Sequence, residues 1–73
     1  MKVLLDDVKK VKNFVKEIEK SKKRTFLSSG DYKINAKILM AVFTLDLMKP
    51  IEVILPDGLE EDILNNIKKF EVF

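Results

Sequence analysis

The sequence predicts an α+β domain: an open-faced sandwich whose helices cover one face of a single antiparallel sheet. Three observations predict it. Apolar residues at helical spacing alternate along the chain with short strand-like runs. Two of those runs flank a glycine turn, Ser28-Ser29-Gly30-Asp31. The chain has 73 residues, enough for one domain and no more. No repeat, linker or low-complexity tract divides it, so a single domain over residues 1–73 is expected, in the order β-α-β-β-α-β-α.

Residues 2–5 read as a short strand that runs straight into Asp6-Asp7. A helix follows, because Val8, Val11, Val15 and Ile18 recur at spacings of three and four with Phe14 beside them. Asp6 or Asp7 caps its start, where a carboxylate meets both orphan N–H groups and the positive end of the helix dipole. Lysines towards Lys20 suit its C-terminus. Residues 24–28 and 32–35 form the hairpin, with Gly30 supplying the left-handed conformation the turn requires. Asn35 is placed to cap a second helix over residues 36–45, which Asp46 ends by adopting a left-handed conformation. Pro50 precedes a strand in which Ile51, Val53 and Leu55 alternate with Glu52 and Ile54. Asp57 as cap with Glu60 three residues on then starts a third helix, whose buried stripe is Ile63, Leu64, Ile67 and Phe70.

Composition narrows the classes. Hydrophobic residues at 47% and charged residues at 36% are those of a folded domain. Without cysteine there is no disulfide or thiolate metal site, which suits a reducing compartment. No apolar run approaches the ~20 residues of a bilayer span, and Val3-Leu4-Leu5 is too short for the apolar region of a secretory leader. A cytoplasmic protein without membrane contact is expected. The net charge of +2 names no partner. Its distribution is uneven: Lys9, Lys10, Lys12, Lys16, Lys20, Lys22, Lys23 and Arg24 crowd one segment, while Asp57, Glu60, Glu61 and Asp62 gather near the other end.

The segment Phe-Val-Lys-Glu-Ile-Glu-Lys at residues 14–20 resembles the middle of the first helix of HPr, the small phosphocarrier of the bacterial sugar phosphotransferase system. Residues 34–55 resemble that family's third strand, second helix and fourth strand, with Asn35, Lys37, Met40, Val42 and Leu45 at positions where it typically carries the same residue types. The likeness covers roughly residues 8 to 70 and implies a sheet in the order 1-4-2-3, with helices on one face.

The departures bear on function. The family carries Gly-Leu-His-x-Arg-Pro at the start of its first helix, and the histidine takes the phosphoryl group. Counting back from Phe14 puts the histidine position at Asp7 and the arginine position at Lys9, and the chain has no histidine anywhere. Several loop residues before Asp7 are missing as well. The regulatory serine of Gram-positive members falls at Ile38. Both covalent handles are therefore gone, and no catalytic residue, cofactor or metal site is expected. Helix capping accounts for Asp6-Asp7, and capping also accounts for the acids of residues 57–62, which lack the alternating ligands of a Ca²⁺ loop.

The second helix is apolar nearly all round, although a short helix on a sheet buries only one stripe. By analogy with the family, Val42, Leu45 and Leu47 face the core. That leaves Ile38, Leu39, Met40 and Phe43, which match the patch through which the family docks its partners. Their expected role is partner binding, unless the third helix or the C-terminal Glu-Val-Phe covers them. The expected function is a non-phosphorylatable, non-enzymatic interaction or regulatory module. Its partner is a protein, either a phosphotransferase component or a second copy of the chain. Two alternatives stand beside it: phosphotransfer through Asp7, and nucleic-acid binding through the lysine stripe, which lacks the interleaved aromatics such binding favours.

Overall fold

The computed structural model describes residues 1–72. Its elements run β1 (Lys2–Val3), α1 (Val8–Ile18), β2 (Phe26–Ser29), β3 (Tyr32–Asn35), α2 (Leu39–Val42), β4 (Ile51–Ile54), α3 (Glu61–Ile67) and β5 (Glu71–Val72), with a 3₁₀ turn at Lys68–Phe70. The strands form one five-stranded sheet, every pair of it antiparallel, in the order β3-β2-β4-β1-β5. The α+β class is what the periodicities predict.

The strand order differs from the expected 1-4-2-3. β3, β2, β4 and β1 lie side by side, but the sheet ends on β5, which pairs with β1 in the register Lys2↔Val72 and Val3↔Glu71. The physical reason lies in Phe70. Its ring meets Phe14 edge-on, with centroids 5.6 Å apart at 84°. Its carbonyl accepts the Leu4 N–H at 3.1 Å, which delivers residues 71–72 alongside β1. β1 thereby has a partner on both sides, and its backbone groups are not left at an open edge.

Burial along β4 alternates, with Ile51 and Val53 inside and Glu52 and Ile54 outside. The inner face joins Val3, Leu5 and Leu27 to Val11, Phe14, Val15 and Ile18 of α1, Val42 and Leu45, and Ile67 of α3. Val8, expected on the buried stripe, is 57% exposed, so the stripe begins at Val11. On the outer face the Lys33 ammonium lies 4.8 Å from the Phe26 ring centroid, and Phe26 pairs with exposed Ile54.

Several element boundaries differ from those expected. β1 stops at Val3 rather than Leu5, and β4 stops at Ile54, just before Leu55 and Pro56. β2 begins at Phe26 rather than Arg24, because residues 22–23 bend around the Glu60 carboxylate, which accepts the Lys22 N–H at 3.3 Å. The hairpin closes on Ser29↔Tyr32 with Gly30 at φ 59°, a positive value at the first central position, as a II′ turn requires. Asp57 does not cap α3. Gly58 at φ 76° breaks the run, and the helix starts at Glu61 with Glu60 as its N-cap residue and no capping side chain. Ile63 and Ile67 are buried, while Leu64 and Phe70 are half-buried against the core.

Thr25 is fully buried, and among the described residues its hydroxyl has no hydrogen-bond partner. Valine has nearly the same shape without a polar atom to desolvate. Thr25→Val is expected to raise unfolding stability by about 1 kcal/mol, read from the shift in the urea midpoint.

Acidic pH acts through carboxylates with fixed partners. The Asp6 pKa is lowered chiefly by the hydrogen bond from Lys10, that of Glu17 by Asn66 and then Lys20, that of Glu52 by the terminal amine of Met1, and that of Glu60 by the Ser21 hydroxyl. For a lowered folded-state value, the stabilisation is complete above the ordinary value and lost as pH falls through the folded one. Thermal melts are therefore expected to be insensitive to these groups above the ordinary values of 3.8 for Asp6 and 4.5 for the glutamates, and to move down below them.

Candidate docking surface around the second helix

The chain leaves β1 through buried Leu5 and reaches the two aspartates. Asp7 has extended backbone (φ −140°, ψ 139°), and its Oδ1 accepts the Lys9 N–H at 2.7 Å while its carbonyl accepts the Val11 N–H at 3.0 Å. That is N-cap geometry. Asp6 accepts from the Lys10 ammonium at 2.9 Å, an i,i+4 pair on the helix surface. Both carboxylates have partners. Among the described residues, no group of three or more His, Cys, Asp or Glu could hold a metal ion. Asp7→Ala is expected to cost about 1 kcal/mol of stability, the usual worth of an N-cap, and Asp7→Asn a small fraction of that. Chemical denaturation of the two variants checks it.

The second helix is a single turn, not the expected helix over residues 36–45. Asn35 does not cap it. Its Oδ1 accepts the Lys37 N–H at 2.9 Å and its carbonyl accepts the Ile38 N–H at 3.1 Å, so it builds a local turn that competes with helix. The helix instead starts after Ile38, whose backbone is extended (φ −98°, ψ 100°) and whose side chain has no capping atom. It ends where the Thr44 hydroxyl donates to the Ala41 carbonyl at 2.6 Å, and where the Thr44 and Leu45 N–H groups make i→i−3 bonds. Asp46 does not take a left-handed conformation, since no non-glycine residue has positive φ among the described residues. Its Oδ1 accepts the Met48 N–H at 3.2 Å in a second local turn.

These turns set which apolar side chains face out. Val42 and Leu45 are buried, and Leu39 and Leu47 are half-buried against the core. Ile38 is 53% exposed, Met40 76% and Phe43 37%. Of the four residues expected at a docking patch, three lie on the surface and Leu39 lies at its inner border. β5 stands at the sheet edge opposite β3, whereas α2 packs on α1 and β3, so residues 71–72 do not cover the patch. Phe73 lies outside the described residues. Met48, in the segment after α2, is also exposed, at 77%. Sequence reading missed it, although the turn-forming Asp46 and Pro50 on either side were a signal that no regular element would bury it.

Leu39 also lines a groove of about 350 Å³ between α1 and α2, opposite Lys9, Lys12, Asn13 and Lys16, with Val15 at its base and Glu19 at one end. None of these three lysines has an ion-pair partner among the described residues. A larger cavity of about 430 Å³ lies between the hairpin turn and the segment after α2, lined by Asp31, Tyr32, Asp46 and Lys49 among others. Lys9 and Ile38, the arginine and serine positions implied by the family resemblance, thus lie at the groove and at the exposed start of α2. No helix is long and apolar enough to cross a membrane. Comparison with protein-family models, with characterised proteins and with solved structures returns no match to this chain.

Proposed function

We propose that this chain is a non-catalytic docking module, an HPr-like relative that has kept a partner-binding surface and lost its phosphorylatable histidine. The observation that carries the reading is the exposure of Ile38, Met40 and Phe43 on and beside a one-turn helix, next to a groove walled by Lys9, Lys12 and Lys16. An apolar patch bordered by Lys9, Lys12 and Lys16, with Glu19 the single acid at the groove's end, suits an acidic protein surface: the apolar centre supplies affinity and the lysines supply steering and register. Met40 adds a side chain that adapts to a partner's contours. A second copy docked through the same patch would bring like charges together, so an acidic partner is favoured over self-association.

The experiment is a titration with the general phosphotransfer enzyme of the sugar phosphotransferase system, followed by NMR on the labelled chain. The expected result is line shifts concentrated at Ile38, Leu39, Met40 and Phe43, with no mass gain of one phosphate when phosphoenolpyruvate is added. A phosphorylated species would overturn the non-catalytic reading. Absence of binding would overturn the phosphotransferase connection, and a dimeric mass by light scattering that Met40→Asp abolishes would reassign the surface to self-association.

A further inference from the structure

Three stretches of chain meet at Ser21, just beyond α1. Its side chain is nearly buried, at 3% exposure, and its hydroxyl donates to Glu60 Oε1 at 2.7 Å while accepting the Lys23 N–H at 3.0 Å. The other oxygen of Glu60 accepts the Lys22 N–H at 3.3 Å. On the far side, the Ser21 carbonyl accepts the Lys37 ammonium at 2.6 Å. Glu60 begins α3 yet leaves that helix uncapped, because its carboxylate is engaged 39 residues back along the chain. Lys37 sits in the turn that launches α2. The carboxylate and the ammonium form no ion pair with each other among the described residues, so the serine joins them.

We propose that Glu60, Ser21 and Lys37 form a positioning device that holds the start of α2 in one conformation from the N-terminus of α3. Its functional meaning, presentation of the docking surface, rests on the reading above. Its physical basis does not. A four-residue helix has no stability of its own, and Ile38 gives it no side-chain cap. Its placement therefore comes from outside, from Val42 in the core and from the Lys37 ammonium, whose charge-assisted bond is stronger than a neutral one. That bond requires the Ser21 carbonyl to stay in place. The Glu60 carboxylate keeps it there by holding the Ser21 hydroxyl and the Lys22 N–H together. Releasing Glu60 leaves a buried hydroxyl without its acceptor, frees the turn at residues 21–23 and removes the fixed acceptor of Lys37. The linkage is a contiguous bonded route between two elements, and its energetics are testable by substitution at each end.

Amide hydrogen exchange on the full chain, with no partner present, tests it. In Lys37→Met the amides of Ala41, Val42 and Phe43, which donate to the carbonyls of Ile38 and Leu39, are expected to exchange about tenfold faster or more. Amides of the β2–β4 ladder should keep their rates, and Lys37→Arg should restore slow exchange. Glu60→Gln should speed the same α2 amides roughly threefold or more. Ser21→Ala serves as the second variant should the substitution at Glu60 compromise folding. The double variant Lys37→Met with Glu60→Gln should be no faster at α2 than Lys37→Met alone, because both act along one route. If Glu60→Gln speeds the Lys22 and Lys23 amides but leaves α2 unchanged, the junction is a local staple and the proposal fails. A uniform acceleration across the sheet would overturn it too, as global destabilisation. Failure of the partner titration would leave these rates untouched, so the two readings fail separately.

Discussion

Phe14→Ala is expected to leave the chain unfolded, or nearly so, in plain buffer. Phe14 is fully buried at the centre of α1, and its ring meets Phe70 edge-on. Truncating a buried phenylalanine costs about 3–5 kcal/mol, combining lost transfer free energy with the cavity left behind. At roughly 0.05–0.15 kcal/mol per residue, the 73 residues of this chain provide about 4–11 kcal/mol in total. Small domains fall towards the low end, because they bury a smaller fraction of their surface. The substitution also removes the contact that seats Phe70 and so directs β5 alongside β1. Phe14→Leu keeps most of the volume and loses mainly the ring contact, at about 0.5–1.5 kcal/mol. Far-ultraviolet circular dichroism against urea separates the two. With a slope near 1 kcal/mol/M, the alanine midpoint should fall by about 3 M or more, the leucine midpoint by about 1 M. Equal shifts would mean that the edge-on contact, not core volume, carries the cost.

Phe43→Ser is expected to weaken binding of an acidic protein partner by about thirtyfold, the scale of an aromatic anchor at an interface centre. Phe43 is 37% exposed and follows α2 directly, so most of the loss should appear as faster dissociation. Met40→Asp is the sharper companion. At 76% exposure Met40 has little structural role, and a carboxylate there opposes an acidic partner. Its melting temperature should stay put, as surface substitutions usually lie within about 0.5 kcal/mol. Calorimetric titration against the partner, beside thermal melts of both variants, checks the pair. Unchanged affinity in Met40→Asp would remove the α2 surface from the binding site. Nucleic-acid binding through Lys9, Lys12 and Lys16 would show the converse pattern, a steep loss with salt and indifference to Phe43.

The first helix was the most legible feature. Of the expected stripe Val8, Val11, Phe14, Val15 and Ile18, all but Val8 are buried, and Asp7 caps α1 as its position suggests. The alternation from Ile51 to Ile54 and the glycine turn at Gly30 were equally plain, because strand pleat and positive φ are local properties. The second helix was misread in length. The run from Ala36 to Leu45 has helical composition, yet Asn35, Thr44 and Asp46 each hydrogen-bond the nearby backbone and cut it to one turn. The start of α3 was misread for a long-range reason. A glutamate three residues after an aspartate looks like a capping pair, but the Ser21 hydroxyl and Lys22 N–H, distant in sequence, claim its carboxylate.

By itself the sequence determined what depends on neighbours in the chain: the α+β class, the inward faces of α1 and β4, and the absence of histidine and cysteine chemistry. Of the set Ile38, Leu39, Met40 and Phe43 expected at the surface because one helix cannot bury every face, all but Leu39 are exposed. Only the tertiary structure decided the rest. It added β5 outside β1, placed Leu39 beside Lys9, Lys12 and Lys16, and bound Glu60 to Lys37 through Ser21. The reason is common to all three. Each depends on residues 16 or more positions apart meeting in space, and local propensity and periodicity carry no information about which distant group takes up a backbone edge, a carboxylate or an ammonium.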